Sequence, residues 1–195
     1  MGTGPKATSG FDLCLTELED WFLIEVGSEA GKLAASSLPL QPASAFLVQN
    51  ANRGLDEARK RMGRVMLEPD SLPEFLLTNL EHPHWDEVAK RCLSCTNCTQ
   101  VCPTCFCWDA FDQPNLSGDG THRLRVWDSC FNPDYTYIAG GNTRPNTRAR
   151  YRQWLTHKLA SWKHQFGVSG CVGCGRCITW CPAGIDITAE VAALR

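Results

Sequence analysis

The sequence has little net charge and no long apolar run. Its 195 residues carry 19 Lys and Arg against 21 Asp and Glu, a formal net charge of −2, so no global field favours nucleic acid. No apolar stretch approaches the roughly 18–20 residues of a membrane span. No succession of charged, apolar and cleavage-site segments opens the chain as in a secretory signal. We therefore expect a cytoplasmic protein without direct membrane insertion and without a nucleic-acid partner.

Acidic residues are missing from one stretch of the chain. No Asp or Glu occurs between Tyr135 and Ile185. The same stretch carries seven basic residues: Arg144, Arg148, Arg150, Arg152, Lys158, Lys163 and Arg176. A basic run is usually a solvated face. This one also has the charge to counter an anionic cofactor or to dock an acidic partner.

Cysteine, by contrast, is abundant, and eight of the 12 cysteines fall into two copies of one pattern. Both copies read C-x2-C-x2-C-x3-C-P, the run with which bacterial ferredoxins hold a [4Fe–4S] cluster. The first contains Cys92, Cys95, Cys98 and Cys102, and the second contains Cys171, Cys174, Cys177 and Cys181. Structural zinc takes four ligands and disulfides suit secreted chains, so both are weaker alternatives for two full runs.

The fourth cysteine of each run is expected to bind the cluster of the other run, as in two-cluster ferredoxins. We predict two [4Fe–4S] clusters with separate ligand sets. The first set is Cys92, Cys95, Cys98 and Cys181, and the second is Cys171, Cys174, Cys177 and Cys102. Arg176 lies inside the second loop, and its charge should raise the potential of that cluster.

Four further thiols lie outside the two runs. Cys14 has apolar neighbours and is predicted to be a small buried hydrophobe. Cys105 and Cys107 follow the first run closely, and either pack beside it or bind something additional. Cys130 is predicted to be an unpaired buried thiol.

Local patterns predict a chain that is mainly α. We expect a small α/β segment over residues 1–70 and a helical dicluster domain over residues 71–195. The first segment should contain a strand at 21–26 and a helix over Leu55–Leu67 that Pro69 stops. The second should contain a strand or extended segment at Thr121–Asp128. Its helices are predicted from Ser71, as a side-chain cap, to Leu80, then over His84–Arg91, Arg148–Phe166 and the tail after Ile185.

Short runs around the cysteines are similar to a known family. They are Cys-Pro-Thr-Cys-Phe-Cys at 102–107, Arg-Val-Trp-Asp-Ser-Cys at 125–130, Ala-Gly-Gly-Asn at 139–142, Arg-Tyr-Arg at 150–152, His-Lys at 157–158, Phe-Gly at 166–167 and Cys-Val-Gly-Cys-Gly-Arg-Cys at 171–177. This combination resembles the iron–sulfur beta subunit of cytosolic NiFe hydrogenases (sulfhydrogenases). It is also similar to the A subunit of anaerobic sulfite reductase.

The resemblance implies a non-catalytic electron-transfer subunit. Such a subunit relays electrons between a flavin subunit that binds NAD(P)H and a catalytic subunit of the NiFe hydrogenase or sulfite/sulfur reductase type. Family members are longer and carry a Met-Gly-Thr-Gly-Pro-like loop inside the chain, so residues 1–70 are expected to be the remnant of a larger domain. Two alternatives are the iron–sulfur subunit of a heterodisulfide- or quinone-linked reductase, and a binding module with structural metal.

Overall fold

A computed structural model describes residues 4–66 and 70–195 of the chain. The chain divides into two units, residues 2–65 and residues 66–195. Within the described residues, no helix is both long enough and apolar enough to cross a membrane.

The first unit contains a hairpin and two helices. Strand β1 (Leu13–Glu17) pairs antiparallel with β2 (Phe22–Val26), which confirms the strand predicted at 21–26 and gives it a partner. Helices α1 (Glu29–Ser36) and α2 (Ala45–Lys60) both contact β2.

Serine side chains begin both helices of this unit. Ser28 accepts a hydrogen bond from the Gly31 amide, and Ser44 accepts one from the Leu47 amide. Each serine thereby satisfies an amide that has no partner inside its helix. Helix α2 begins ten residues before the predicted start at Leu55, so the predicted boundaries were wrong. Leu67 and Pro69, the predicted end of that helix, lie outside the described residues.

The second unit is built around the predicted helices. Its helices are α3 (Leu72–Thr78), α4 (His84–Arg91), α5 (Asn97–Gln100), α6 (Thr147–Thr156), α7 (Trp162–Phe166), α8 (Arg176–Thr179) and α9 (Ile187–Ala192). The prediction at His84–Arg91 is confirmed, and Ser71 makes no side-chain cap bond. The core is apolar and includes Leu72, Leu76, Trp85, Val88, Phe131, Leu155, Leu159 and Val191.

The fold class predicted from the sequence is wrong, because the chain is a mixture of α and β structure. Helix makes up 41% and strand 15% of the described residues. In the domain expected to be helical, β3 (Trp108–Pro114) pairs with β4 (Thr121–Trp127), and β4 lies where a strand or extended segment was predicted. A shorter pair joins β5 (Tyr137–Ile138) to β6 (Gly141–Asn142).

A turn and a cross-strand ion pair stabilise the β3–β4 hairpin. Asn115 Oδ1 accepts from the Gly120 amide at 3.1 Å and closes the turn. Arg123 Nε donates to Asp112 Oδ1 at 2.8 Å, from the position directly opposite across the strands. Every residue of both strands is exposed, so neither strand contributes to the buried core.

The predicted helix over Arg148–Phe166 is interrupted. A π-helical turn, His157–Ser161, separates α6 from α7, and Gly167 ends α7 in the left-handed conformation at φ 74°. A π turn holds an extra residue and therefore rotates the side chains that follow. Lys158, predicted on the exposed basic face, is instead only 5% exposed.

Gly170, directly before the second cysteine run, fills a space without room for a methyl group. A Cβ there would lie 2.7 Å from the Lys158 carbonyl oxygen and 2.8 Å from Cδ2 of Trp162. We expect Gly170→Ala to lower the free energy of unfolding by about 1–3 kcal/mol through overpacking, measured as a drop in Tm of the anaerobic full chain. Gly140→Ala is the control, since a Cβ at Gly140 meets nothing within 4 Å. Equal melting of the two variants would contradict the prediction.

Candidate metal centre

The two cysteine runs adopt one backbone conformation. In the first run, Ser94 (φ 51°) and Thr96 (φ 67°) lie in the left-handed region, which residues other than glycine rarely enter. Gly173 (φ 73°) and Gly175 (φ 72°) have the same conformation at the matching positions of the second run. A four-residue helix, α5 or α8, then follows each loop, and the two helices contact each other. The repeat in sequence is therefore also a repeat in structure.

One cavity contains the sulfurs predicted for the first cluster. Cys92, Cys95 and Cys98 line it together with Cys181, which is remote in sequence. Cys177 of the second run also reaches this cavity. The fold thus brings the last cysteine of the second run to the first three cysteines of the first run.

The electrostatics of the thiols show the same grouping. Burial raises the pKa of Cys98, and four neighbouring cysteines raise it further: Cys92, Cys177, Cys95 and Cys181. Burial likewise raises the pKa of Cys177 to about 11, with added contributions from Cys171, Cys102 and Cys174. Cys102 therefore lies close to the second run, although it belongs to the first.

The spacing of the thiols differs from that of a site for one ion. Within residues 4–66 and 70–195, no three His, Cys, Asp or Glu side chains converge closely enough to hold a single metal ion. A cubane instead distributes its four thiolates over four irons.

Two buried donors beside the first cavity have no partner. Tyr151 Oη and Trp154 Nε1 are buried without a hydrogen-bond partner among the described residues, and both side chains line the cavity with the cysteines. Buried polar atoms normally have partners. The sulfurs of an iron–sulfur cluster accept hydrogen bonds, so these donors fit a cluster at this place. Sequence periodicity identified both residues only as parts of an apolar stripe.

Lys158 contacts Cys102, the cysteine of the first run that is predicted to bind the cluster of the second run. Its ammonium group donates to Cys102 Sγ at 3.2 Å, to Thr104 Oγ1 at 3.0 Å and to the Gly170 carbonyl at 3.2 Å. Burial opposes this charge, but the Cys105 and Cys102 thiols raise the pKa of Lys158 overall. A hydrogen bond from Cys105 lowers the pKa of Cys102 to about 4, against burial and with help from Thr104 and Lys158. The site therefore favours a thiolate at Cys102.

A buried carboxylate connects the helices next to the first cavity. Glu190 on α9 is 4% exposed, and it accepts hydrogen bonds from Arg91 Nη2 at 2.8 Å and lies 2.7 Å from His84 Nε2. Both partners belong to α4, the helix that ends at Cys92. Before α9, the Ile185 amide donates a hydrogen bond to Cys181 Sγ at 3.3 Å. Sequence reasoning found the helices but not this contact.

Arg176 lies in a different environment from Lys158. It is exposed and borders a cleft that Cys102, Cys105 and Asp128 also line. Water and salt screen an exposed charge. The structure therefore gives Arg176 a weaker influence on the second group of thiols than Lys158 has.

The remaining thiols separate into two places. Cys105, Cys107 and Cys130 line a second cavity together with Lys158, which contacts Cys102. Cys14 lies on β1 of the first unit and is only partly buried.

Comparison with known proteins finds a matching iron–sulfur family and a related hydrogenase subunit. Residues 91–185 match the family described as "4Fe-4S dicluster domain". The chain is 34% identical over 196 residues to sulfhydrogenase 2 subunit beta of Pyrococcus furiosus, an alignment that covers 92% of this chain and 54% of the relative. The chain thus spans about half the length of that curated relative. No solved structure matches the chain.

These matches confirm the resemblance that the short runs around the cysteines indicated. They also confirm that the chain is an iron–sulfur protein of the 4Fe-4S type. Residues 91–185 therefore match a 4Fe-4S dicluster domain, and the chain is related to sulfhydrogenase 2 subunit beta.

Proposed function

We propose that this chain is an electron-transfer subunit that holds two [4Fe–4S] clusters. Cys92, Cys95, Cys98 and Cys181 would hold one cluster, and Cys171, Cys174, Cys177 and Cys102 would hold the other. Such clusters supply one-electron chemistry when bound. The observation that carries the proposal is the position of two cysteines: Cys181 lines the cavity of the first run, and Cys102 lies near Cys177.

The chain's own residues hold, shield and polarise these sites. The rings of Phe131, Tyr151 and Trp154 line the first cavity, where they limit the access of water. The buried ammonium group of Lys158 lies next to the sulfur of Cys102. Hydrogen bonds and charges near the sulfurs set cluster potentials. Outer-sphere electron transfer requires no general base or nucleophile, so we propose no catalytic residue.

The partners in this proposal are a flavin subunit that binds NAD(P)H and a catalytic subunit of the NiFe hydrogenase or sulfite/sulfur reductase type. Support comes from the relative, whose name describes it as a subunit of a sulfhydrogenase. The span between Tyr135 and Ile185 contains seven basic residues and no Asp or Glu. This charge suits the docking of an acidic partner. We place the assembly in the cytoplasm, where thiols stay reduced.

Subunit identification tests the proposed assembly. A tagged full chain is purified anaerobically from its native cells, and the copurifying proteins are identified by mass spectrometry. We expect a flavoprotein that oxidises NAD(P)H and a hydrogenase-type or sulfite-reducing catalytic subunit. Copurification with a membrane quinone-reactive subunit or a heterodisulfide reductase instead would contradict this assembly and support the alternative.

Arg176 provides a prediction with a small effect. Because its side chain is exposed, Arg176→Gln should lower the potential of the second cluster by about 20 mV or less, the equivalent of about 0.5 kcal/mol for one electron. The shift should shrink further as salt is raised. Redox titration monitored by EPR measures it. A shift several times larger, unaffected by salt, would show that the exposed charge is not screened.

A further inference from the structure

Cys107 and Cys130 form a thiol pair outside the two predicted ligand sets. Cys107 directly precedes β3, and Cys130 lies three residues beyond the end of β4. The hydrogen bond from the Asp128 amide to the Cys107 carbonyl oxygen, at 3.0 Å, extends the hairpin pairing to this point. Both side chains line one cavity. The hairpin therefore brings two cysteines that are remote in sequence to the same cavity.

The two members of the pair are chemically unequal. Cys107 accepts hydrogen bonds from the Cys130 thiol, the Tyr135 hydroxyl and the Cys130 backbone amide, which together lower its pKa to about 6 despite burial. Hydrogen bonding to Cys107, together with burial, raises the pKa of Cys130. At neutral pH, Cys107 is then the thiolate and Cys130 the thiol. The thiolate is the form that attacks a disulfide.

A small molecule has room to reach this pair. Both cysteines are only partly buried and line a cavity of about 300 Å³. Its wall also contains Phe106, Trp108, Trp162 and Lys158. Phe106 and Trp108 are about half exposed, at 55% and 49%. This lining, rich in aromatic rings, suits a small organic molecule.

We propose that Cys107 and Cys130 form a redox-active dithiol that reduces low-molecular-weight organic disulfides. The Cys107 thiolate attacks one sulfur of the disulfide RS–SR, so a Cys107–SR mixed disulfide forms and RS⁻ leaves. The sulfur of Cys130 then attacks Cys107, releases the second RS⁻ and gives up its proton. Altogether, two cysteine sulfurs are oxidised to one Cys107–Cys130 disulfide, and RS–SR is reduced to two RSH.

Oxidised glutathione is the probe for this exchange. The full chain with its iron in place is incubated anaerobically with oxidised glutathione at neutral pH, denatured in acid and alkylated. Its cysteine peptides are then identified by mass spectrometry, and iron is measured in the same sample. We expect a Cys107–Cys130 linked peptide at unchanged iron content, and its loss after dithiothreitol. No linked peptide, or one that forms only as iron is lost, would overturn the proposal.

Single variants test the order of the two steps. In Cys130→Ser, attack by Cys107 should stop at the first step, so glutathione should stay on Cys107. In Cys107→Ser, the remaining Cys130 should take up at least ten times less glutathione. Cys14→Ser, changed in the first unit, is the matched control and should retain the linked peptide. Equal glutathione on Cys130 and Cys107 in the two single variants would overturn the assigned roles.

The iron measurement separates this proposal from the proposed function. Low iron in untreated wild-type protein would contradict the two clusters. The Cys107–Cys130 linked peptide would then still test the dithiol. Full iron without a linked peptide would contradict the dithiol alone.

Discussion

Replacing Cys102 by Ala should remove the cluster of the second cysteine run, although Cys102 belongs to the first. Iron is expected to fall from about eight to about four per chain, since one of two [4Fe–4S] clusters is lost. The reason is the position of Cys102, whose sulfur accepts from Lys158 at 3.2 Å and contributes to the raised pKa values of Cys171 and Cys177. Iron and acid-labile sulfide analysis of the anaerobic full chain measures the loss.

Double variants show which cluster was lost. If Cys102 and Cys171 bind the same cluster, Cys102→Ala/Cys171→Ala should retain about four irons, no fewer than either single variant. Cys102→Ala/Cys92→Ala should lose both clusters, because it removes a ligand from each. This non-additive pattern is the signature of a shared site. The reverse pattern would show that each run binds its own cluster. Cys14→Ala, which changes a thiol of the first unit, should keep all its iron.

Lys158→Met should lower the reduction potential of the second cluster by roughly 60–130 mV. A hydrogen bond to a charged group contributes about 1.5–3 kcal/mol, which converts to this range for one electron. Lys158 is 5% exposed, so solvent does not screen its charge as it screens that of Arg176. Without the ammonium group, adding an electron to the cluster becomes less favourable. Redox titration monitored by EPR measures the shift.

Lys163→Met is the matched control for Lys158→Met. Lys163 lies on α7, is more exposed and pairs with the exposed Asp70 at 3.2 Å. Its replacement should leave both potentials nearly unchanged. Equal shifts in the two variants would mean that overall charge, and not the contact with Cys102, sets the potential. Iron content is measured in both variants, so that a loss of cluster is not mistaken for a change of potential.

Regular patterns made much of the second unit predictable. The helix over His84–Arg91 follows from its apolar face, and the cysteine runs follow from spacing alone. The two ligand sets that this spacing predicted stay a prediction, and Cys181 lines the cavity of the first run. The repeat of backbone conformation was harder to foresee, because Ser94 and Thr96 occupy left-handed positions that Gly173 and Gly175 fill in the other run.

The features that were missed depend on tertiary context. Strand β4 lies within the strand or extended segment predicted at Thr121–Asp128, but its partner β3 was missed, because the exposed residues of β3 do not alternate regularly between apolar and polar types. No spacing rule marks the π turn at His157–Ser161. Lys158 was expected on an outer face because of its charge, but it lies three residues after Leu155 and four after Trp154, which is the spacing of one helix face. Helix α2 begins at Ala45, with Ser44 as its cap, ten residues before the predicted start at Leu55. Each miss is a case in which local composition and the folded environment disagree.

The iron and acid-labile sulfide content of the full chain, purified anaerobically and read together with its EPR spectrum, tests the central claim most directly. Two cross-ligated cubanes predict about eight irons and eight sulfides per chain, and a spectrum of two interacting [4Fe–4S] centres after reduction. About two zinc ions without sulfide would contradict the claim, and so would a stoichiometry of four irons.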